Sequence, residues 1–448
     1  MPRDDANPGA LRYGRTVLAC GFALVVGVAG FNATVDPFCM YHDLASVGAG
    51  AYKPAVYNRV RLYKAFQVRR LRPQIVILGT SRVHVGLSCS QEALVRLNEV
   101  CYNLAFDGAT TKEMYAYLRH AQSVRPLRHV VLGLDVYHAN SAPSFTRPDF
   151  DPLLLRDDHT PAWWRVITGD LRVLASLDTL RASIETLRSR HPSDPVWFAP
   201  DGQRLGEVFF HRPEDDFMRR GPRAYFEEVD RLEVGYQTAD AAPSARKANL
   251  KTVPSAPDPN ESSLAYVRRI VEFCRREGID LRIFITPSHA HQLEIAAAAG
   301  AWPAIENGKR ALVRLLAEDS ARHPGQPSIT LIDFSGYSSL TTEALPPRGS
   351  RQEMKYYWDS SHFKENIGNL VLDRLFAATL ASRRIPSDFG VSLTPDTIEP
   401  YLAAQRVAQA AYRERFPTTV AALRSLVMAK RHPAAAPEAV VSAGLQTR

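Results

Sequence analysis

The stretch Ile75-Val-Ile-Leu-Gly-Thr-Ser81 decides the fold of this chain. An apolar, β-branched run that stops at Gly-Thr-Ser is typical of a buried strand that ends in a tight turn. Far along the chain, Tyr356-Tyr-Trp-Asp-Ser-Ser-His-Phe363 places Asp359 three residues before His362, just ahead of an amphipathic helix pattern. A serine after the first strand and a later Asp-x-x-His can form a triad, in which the imidazole takes the serine proton and the carboxylate orients the imidazolium.

Strand and helix patterns alternate between these two motifs. Strands are predicted at 74–78, 101–105, 128–135, 280–285 and 328–333, and helices at 91–97, from the capping box Thr110-Thr-Lys-Glu113 onward, at 264–277 before Gly278, at 302–322 and at 365–381. The alternation predicts an α/β fold with a doubly wound, mainly parallel sheet. In such sheets sites form outside the carboxyl ends of the strands, where the candidate residues fall.

Six segments describe the predicted organisation of the chain. They are a cytoplasmic N-terminus (1–15), a transmembrane anchor (16–35), a connector (36–70), an α/β domain (71–383) with a long insertion at about 140–258, a helical extension (384–430) and a disordered tail (431–448). Within the insertion, short helices are predicted at 163–175 and 177–188, followed by a flexible loop at 238–259. The insertion is long enough to cover a site or to recognise a substrate.

The N-terminal apolar stretch predicts a membrane segment. Arg12 and Arg15 precede an uncharged run from Val17 to Phe31, and extending it to 16–35 reaches the roughly 20 residues that a bilayer requires. A cleaved signal peptide is the alternative, but a poor cleavage site favours an uncleaved anchor. Arginines on the N-terminal side place the bulk of the chain outside the cytoplasm.

Charge and cysteine content narrow the function classes. The net charge of +8 is spread along the 448 residues without a concentrated basic stripe, so the sequence does not predict nucleic-acid binding. Of the five cysteines, Cys89 and Cys101 bracket one predicted helix. They suit either one disulfide of an exported protein or two buried thiols.

The motifs resemble those of the SGNH (GDSL-like) hydrolase superfamily. The most similar branch is membrane-anchored and associated with acylation of bacterial envelope polymers, as in alginate O-acetylation and lipoteichoic-acid D-alanylation. The resemblance covers 74–381 without the insertion, and it implies that Ser81 is the nucleophile, His362 the general base and Asp359 its orienting carboxylate. It also implies that Gly108, after the second strand, donates its N–H to an oxyanion hole, beside the N–H of Ser81.

The third motif departs from this pattern. Where these hydrolases have Gly-x-Asn-Asp, this chain has Gly133-Leu-Asp135-Val136. The asparagine donor is therefore absent, and an ionised Asp135 would repel an oxyanion. Either Asp135 has another role, or Arg82 or Asn103 compensates; Asn103, on the second strand, is expected to reach the pocket.

Other interpretations of the same residues remain open at this point. Gly-Thr-Ser alone is often only a turn with a capping hydroxyl, and Asp359 or Ser361 can cap the following helix. His289-Ala-His291, with Asp135 and Asp359 at neighbouring strand ends, is a possible metal site. Because nothing supplies a third fixed ligand, we predict no metal and no cofactor, and we expect His289 to line the pocket.

The sequence thus predicts a membrane-anchored serine acyltransferase or esterase. Its expected substrate is an O-acetylated or otherwise acylated polysaccharide of the cell envelope or an exported one, and the resemblance implies a membrane O-acyltransferase as partner. The expected location is the bacterial inner membrane, single-pass, with the α/β domain in the periplasm. A catalytically silent scaffold in a polymer-modification complex is the alternative, and an esterase acting on lipids is a third hypothesis.

Overall fold

The computed structural model describes residues 8–42, 53–136, 138, 144, 146–147, 149–156, 162–189, 197–211, 216–238, 261–376 and 385–431. In chain order the helices are α1 (Pro8–Val35), α2 (Pro54–Asn58), α3 (Val60–Leu71), α4 (Ser81–Gly86), α5 (Glu92–Val95), α6 (Thr111–Val124), α7 (Ala162–Leu174), α8 (Leu177–Arg188), α9 (Gly206–Phe210), α10 (Asp216–Arg220), α11 (Pro222–Thr238), α12 (Ser263–Glu277), α13 (Ala290–Ala298), α14 (Trp302–Arg322), α15 (Glu365–Leu375), α16 (Ile398–Arg415) and α17 (Pro417–Arg431). One turn of 3-10 helix, Pro152–Leu154, precedes α7.

A six-stranded sheet forms the centre of the fold. Its strands are β1 (Ile75–Leu78), β2 (Cys101–Asn103), β3 (His129–Leu134), β4 (Asp280–Ile285), β5 (Thr330–Asp333) and β6 (Val391–Ser392), in the order β2-β1-β3-β4-β5-β6. Strands β1 to β5 pair parallel with one another, and β6 pairs antiparallel to β5 at the edge. The predicted α/β class with a mainly parallel sheet is confirmed, and the order 2-1-3-4-5 is common among doubly wound sheets.

Both faces of the sheet are buried, which explains the unbroken apolar character of β1. Val76 and Leu78 pack into one core with α3, α6, α12 and α14, whereas Ile75 and Ile77 pack into a second core with α4, α5 and α15. Successive side chains of a strand point to opposite faces, so a strand covered on both sides is apolar throughout. The parallel strands place all their carboxyl ends at one edge.

Two helix boundaries follow the chemistry predicted for them. At the start of α6 the Thr110 hydroxyl accepts from the Glu113 amide at 3.3 Å, and the Glu113 carboxylate accepts from the Thr110 amide at 3.1 Å. α12 ends at Gly278, whose φ of 67° lies in the left-handed region that favours glycine. Local sequence therefore sets the start of α6 and the end of α12.

Other boundaries differ from the predictions. The helix expected to reach residue 381 ends at Leu375, and 377–384 lie outside the described residues. The C-terminal extension is two helices, because Pro417 has no N–H with which to continue α16. The helix α13 and the short strand β6 were not predicted. The loop predicted at 238–259 and the tail after 431 fall outside the described residues, except for Thr238 and Arg431 themselves.

α1 is, within the described ranges, the one helix long and apolar enough to cross a membrane. Leu18, Phe22 and Leu24 on this helix are exposed, as expected for side chains that contact lipid rather than a protein core. Such a helix is typical of a membrane anchor or of a signal sequence. Its C-terminal end packs on α7 and α8 of the insertion.

Cys89 and Cys101 form a disulfide, with their Cα atoms 5.7 Å apart. It joins the segment before α5 to the first residue of β2. Of the two arrangements that the sequence left open for this pair, the structure has the bond. Disulfides persist in oxidising compartments and are rare in the cytosol.

Candidate active site

Ser81, His362 and Asp359 form a continuous hydrogen-bond chain at the carboxyl edge of the sheet. The Ser81 Oγ lies 2.9 Å from the His362 Nε2, and the His362 Nδ1 lies 2.9 Å and 3.0 Å from the two carboxylate oxygens of Asp359. Because a carboxylate only accepts, Nδ1 carries the proton and Nε2 accepts the Ser81 hydroxyl. The structure thus brings together the three residues that the sequence placed in a triad, 281 positions apart.

The loop before α15 holds His362 by backbone contacts. The Asp359 Oδ1 accepts from the amides of Ser361 at 2.7 Å and His362 at 2.8 Å, so the carboxylate closes a tight turn under the imidazole. Asp359 is fully buried, whereas His362 is partly exposed. The alternative interpretation, capping of α15 by Asp359 or Ser361, is not found, since the helix begins only at Glu365 with Lys364 before it.

Two glycines allow the two halves of the chain to meet. A Cβ at Gly368 of α15 would lie 1.7 Å from the carbonyl oxygen of Gly86 in α4, and a Cβ at Gly86 would lie 2.0 Å from the Phe363 ring. Only residues without a side chain permit this approach. The contact of α4, which begins at Ser81, with α15, which follows His362, therefore sets the distance between nucleophile and base.

The segment after β2 runs beside the turn that carries Ser81. The Leu104 amide donates to the Ile77 carbonyl at 2.8 Å and the Phe106 amide to the Gly79 carbonyl at 3.3 Å, which brings Gly108 toward Ser81. Among the described residues, the amides of Ser81 and Gly108 have no backbone acceptor. Neither amide is used by another backbone group, as a donor to an oxyanion requires. Gly108 has a φ of 59°, and a Cβ there would lie 3.3 Å from the Cζ of the exposed Arg147.

Asp135 is neutralised by an ion pair and does not face an oxyanion as a bare charge. Its Oδ2 lies 2.5 Å from the Nη1 of Arg82, and it also accepts from the hydroxyls of Thr80 at 3.0 Å and Thr286 at 2.9 Å. Burial alone would raise the pKa of Asp135, but Arg82 and these hydroxyls hold it below its usual value. The Arg82 Nη2 reaches the Ser361 Oγ at 3.5 Å. Arg82 and Asp135 therefore position α4 and the His362 loop.

Asn103 does not reach the pocket, contrary to the prediction. Its Nδ2 donates to the carbonyls of Val83 at 3.1 Å and Leu87 at 2.7 Å, and its Oδ1 accepts from the Ala105 amide at 3.1 Å. The side chain is fully buried and both amide hydrogens are used. Asn103 thus fastens α4 to the end of β2 and offers no donor to a substrate.

His289 is also a buried structural residue rather than a pocket wall. Its Nδ1 accepts from the His291 amide at 3.3 Å at the start of α13, and its Nε2 lies 2.8 Å from the Glu343 carbonyl. Burial lowers the pKa of His289 well below its usual value, with neighbouring His291 acting in the same direction. His291 bonds instead to Asp230 at 2.8 Å. Within the described residues no group of three or more metal-ligating side chains occurs.

The insertion forms a wall of the site. The Phe210 ring lies 6.0 Å from the His362 ring and stacks on Trp358 at 4.9 Å. Arg204 binds the Asp107 carboxylate at 2.7 Å, and its amide donates to the His84 carbonyl at 2.9 Å. The insertion therefore packs directly against the helix that carries Ser81 and against the imidazole.

Sequence reasoning missed Asp107 and the two residues that the insertion contributes to the site. Asp107 directly precedes Gly108 in an Asp-Gly turn, so its position after β2 was a usable signal. Phe210 and Arg204 carried none, because they lie more than 100 residues from either motif and in no regular pattern. Tyr357 and Trp358, in the same motif as Asp359, are buried. No protein-family model and no curated protein matches this chain.

Proposed function

We propose that this protein is a membrane-anchored serine acyltransferase or esterase that acts outside the cytoplasm on an acylated polysaccharide. The observation that carries the proposal is the Ser81–His362–Asp359 chain, with the Ser81 Oγ 2.9 Å from the His362 Nε2. Such a contact activates a hydroxyl that is otherwise a weak nucleophile. The site faces the carboxyl edge of a parallel sheet, where catalytic residues of α/β folds lie.

The proposed reaction has two halves. Ser81 Oγ attacks the carbonyl carbon of an acyl ester while His362 Nε2 takes the hydroxyl proton. The tetrahedral intermediate collapses, the ester C–O bond breaks, and His362 returns the proton to the leaving alcohol. An acceptor hydroxyl, from a sugar or from water, then gives its proton to His362 as its oxygen attacks the acyl-serine carbonyl. The bond between the acyl carbon and Ser81 Oγ breaks, and His362 returns the proton to the Ser81 oxygen.

Three features support the electrostatic part of this scheme. Asp359 is buried and pairs with Nδ1, so it stabilises the imidazolium that forms in each half. The amides of Ser81 and Gly108 are available to the developing oxyanion. The ion pair between Arg82 and Asp135 removes the repulsion that an unpaired carboxylate would exert. One oxyanion donor is typically worth about 3 kcal/mol of transition-state stabilisation.

Two features support the proposed location. The apolar helix α1 suits a single membrane span, with Arg12 and Arg15 on its N-terminal side. The disulfide between Cys89 and Cys101 suits an oxidising compartment. A periplasmic α/β domain held at the inner membrane satisfies both, and acylated envelope polysaccharides are the substrates that such a domain meets.

The proposal is tested on the full-length protein in detergent, with a fluorophosphonate probe and a simple acetyl ester. Wild type is expected to label and to release acetate. Ser81→Ala and His362→Ala are expected to lower turnover to background, a loss on the order of 10⁶-fold for a full triad. Ser425→Ala is the matched control, because Ser425 is exposed on α17 and bonds only to the preceding turn at Ala421.

Either of two results contradicts the proposal. One is labelling that persists in Ser81→Ala, which would place the reactive serine elsewhere. The other is a folded wild-type protein that neither labels nor turns over ester, which favours a catalytically silent scaffold. Mass spectrometry of an added oligosaccharide acceptor then separates transfer of the acyl group from its hydrolysis.

A further inference from the structure

The helix α8 has its apolar side chains on the wrong face for a helix in water. Leu177, Ile184 and Leu187 are exposed by 67%, 37% and 43%, and their spacing of seven and three residues puts them on one face. The opposite, buried face carries only small or polar side chains: Thr179, Ala182, Ser183 and Thr186. A helix of a soluble domain buries its leucines and exposes its threonines and serines. The medium that α8 faces is therefore apolar.

The helix α7 extends the same exposed surface. Trp164, Ile167 and Leu171 are exposed and recur at spacings of three and four, on one side of the helix. Val173 and Leu174, near the end of α7, are buried in the core. We call the six exposed apolar residues of the two helices the α7–α8 surface: Trp164, Ile167, Leu171, Leu177, Ile184 and Leu187.

The position of this surface is set by the last turns of α1. The side chain of Asn32 is fully buried; its Nδ2 donates to the Leu174 carbonyl at 2.7 Å, and its Oδ1 accepts from the Ser183 hydroxyl at 2.8 Å. Asn32 lies three residues before the end of the apolar helix. The two insertion helices are therefore fastened where a membrane span leaves the bilayer. The small buried face of α8 suits close packing on α1, as small residues do between membrane helices.

Basic side chains border the apolar surface. Arg181 and Arg188 are exposed, and each follows a residue of the surface, Leu177 and Ile184, by four positions; Arg181 also pairs with the exposed Asp178 at 3.8 Å. Their side chains therefore lie beside the apolar stripe and can extend toward a polar boundary. An apolar face bordered by arginine is typical of helices that lie in the interface of a bilayer with anionic lipids.

We propose that α7 and α8 lie on the membrane surface, with the α7–α8 surface inserted at the boundary between lipid headgroups and acyl chains. The inference rests on the proposed anchoring by α1, and it goes further, since it makes the anchor and the insertion one membrane-bound unit. The occupant is lipid because Asn32 fastens the two helices beside the end of the apolar helix α1, and because arginine side chains border the surface. The unit holds the α/β domain in one orientation to the bilayer, instead of leaving it on a flexible tether.

The experiment uses fluorescence quenching by lipid. The full-length chain, with Cys20→Ser to remove the exposed free thiol, is reconstituted into vesicles of phosphatidylethanolamine and phosphatidylglycerol. One of three positions carries a cysteine with an environment-sensitive fluorophore: Ile184→Cys on the surface, Leu24→Cys within α1, or Val407→Cys, an exposed apolar residue of α16. Some of the lipid carries a nitroxide near the headgroup, and a second preparation carries it deep in the acyl chain.

The expected result is strong quenching at Ile184 by the shallow nitroxide, quenching at Leu24 by the deep one, and none at Val407. Quenching at Leu24 but not at Ile184 overturns the inference and leaves the anchor intact. Loss of quenching at both positions means that the anchoring itself fails. If Ile184 is unquenched in vesicles but shielded from an aqueous quencher in native membranes, a protein partner covers the surface instead of lipid, and the inference is again overturned.

Discussion

Asp359 receives the Nδ1–H of His362 and two backbone amides on one buried carboxylate. Asp359→Asn keeps the size of this side chain but removes its charge. The side-chain NH₂ of the new asparagine would face the His362 Nδ1–H and the backbone amides, which are themselves donors. The imidazole is then expected to take the wrong tautomer, as in triads where this change lowers turnover about 10⁴-fold. The measurement is acetate release and the rate of fluorophosphonate labelling. Unchanged rates would mean that Asp359 serves only the turn.

His120 is a buried histidine that makes stability depend on pH. Its Nε2 donates to the Ala65 carbonyl at 3.0 Å and its Nδ1 accepts from the Arg156 amide at 2.8 Å, so the folded protein holds it neutral. Burial lowers the pKa of His120 from 6.5 to about 4. As the pH falls through 6.5 the unfolded chain takes up a proton that the folded protein refuses until about pH 4.

The stability held by neutral His120 is therefore complete above pH 6.5 and is lost as the pH falls toward 4, by up to about 3 kcal/mol. His120→Gln cannot titrate. We expect its free energy of unfolding to fall less steeply with acid than that of wild type. Between pH 6.5 and 4 the slopes of the two curves differ by the uptake of up to one proton on unfolding. Denaturant titrations at several pH values measure this, and parallel pH curves for the two proteins would refute it.

At the scale of helices and strands, the approach of α4 to α15 connects the first motif with the last. Gly368→Ala places a methyl group 1.7 Å from the Gly86 carbonyl oxygen, so one helix must move. We expect a destabilisation of about 3 kcal/mol and a loss of fluorophosphonate labelling, because Ser81 and His362 are carried by these elements.

The matched control is Gly235→Ala on α11, where a Cβ meets no atom within 4 Å. There the change is expected to stabilise the protein by about 0.5–1 kcal/mol, as alanine does within a helix. Both variants are compared by denaturant unfolding and by labelling. Equal behaviour of the two would show that the helices do not need close contact.

At the scale of the whole molecule, α1 is expected to hold the chain at the membrane. Leu24→Asp with Val25→Asp puts two charges within the apolar segment, each costing about 3 kcal/mol near the centre of a span. We expect this variant to be released from membranes by an alkaline wash that leaves wild type in the pellet. Val407→Asp with Met428→Asp, at exposed positions of α16 and α17, controls for added charge. Equal release of wild type would indicate a cleaved leader.

The sequence by itself determined the α/β class and most strand and helix positions, and it predicted which three residues meet in the Ser81–His362–Asp359 hydrogen-bond chain. Strand and helix periodicity, the capping box at Thr110 and Gly278 are local signals, and the order of motifs along a parallel sheet puts their strand ends at one edge. Ser81, Asp359 and His362 could be picked out because each follows a recognisable local pattern.

Only the tertiary structure decided which polar residues serve the site and which hold the fold. Asn103 ends β2 and His289 follows β4, close to strand ends as Ser81 is, yet packing uses their side-chain hydrogen-bonding groups internally. The pairing of Arg82 with Asp135 and the place of Phe210 beside His362 depend on contacts between residues far apart in the chain. Periodicity reports which face of an element is buried, but it does not report the partner that buries it, because that partner is chosen by the packing of the whole chain.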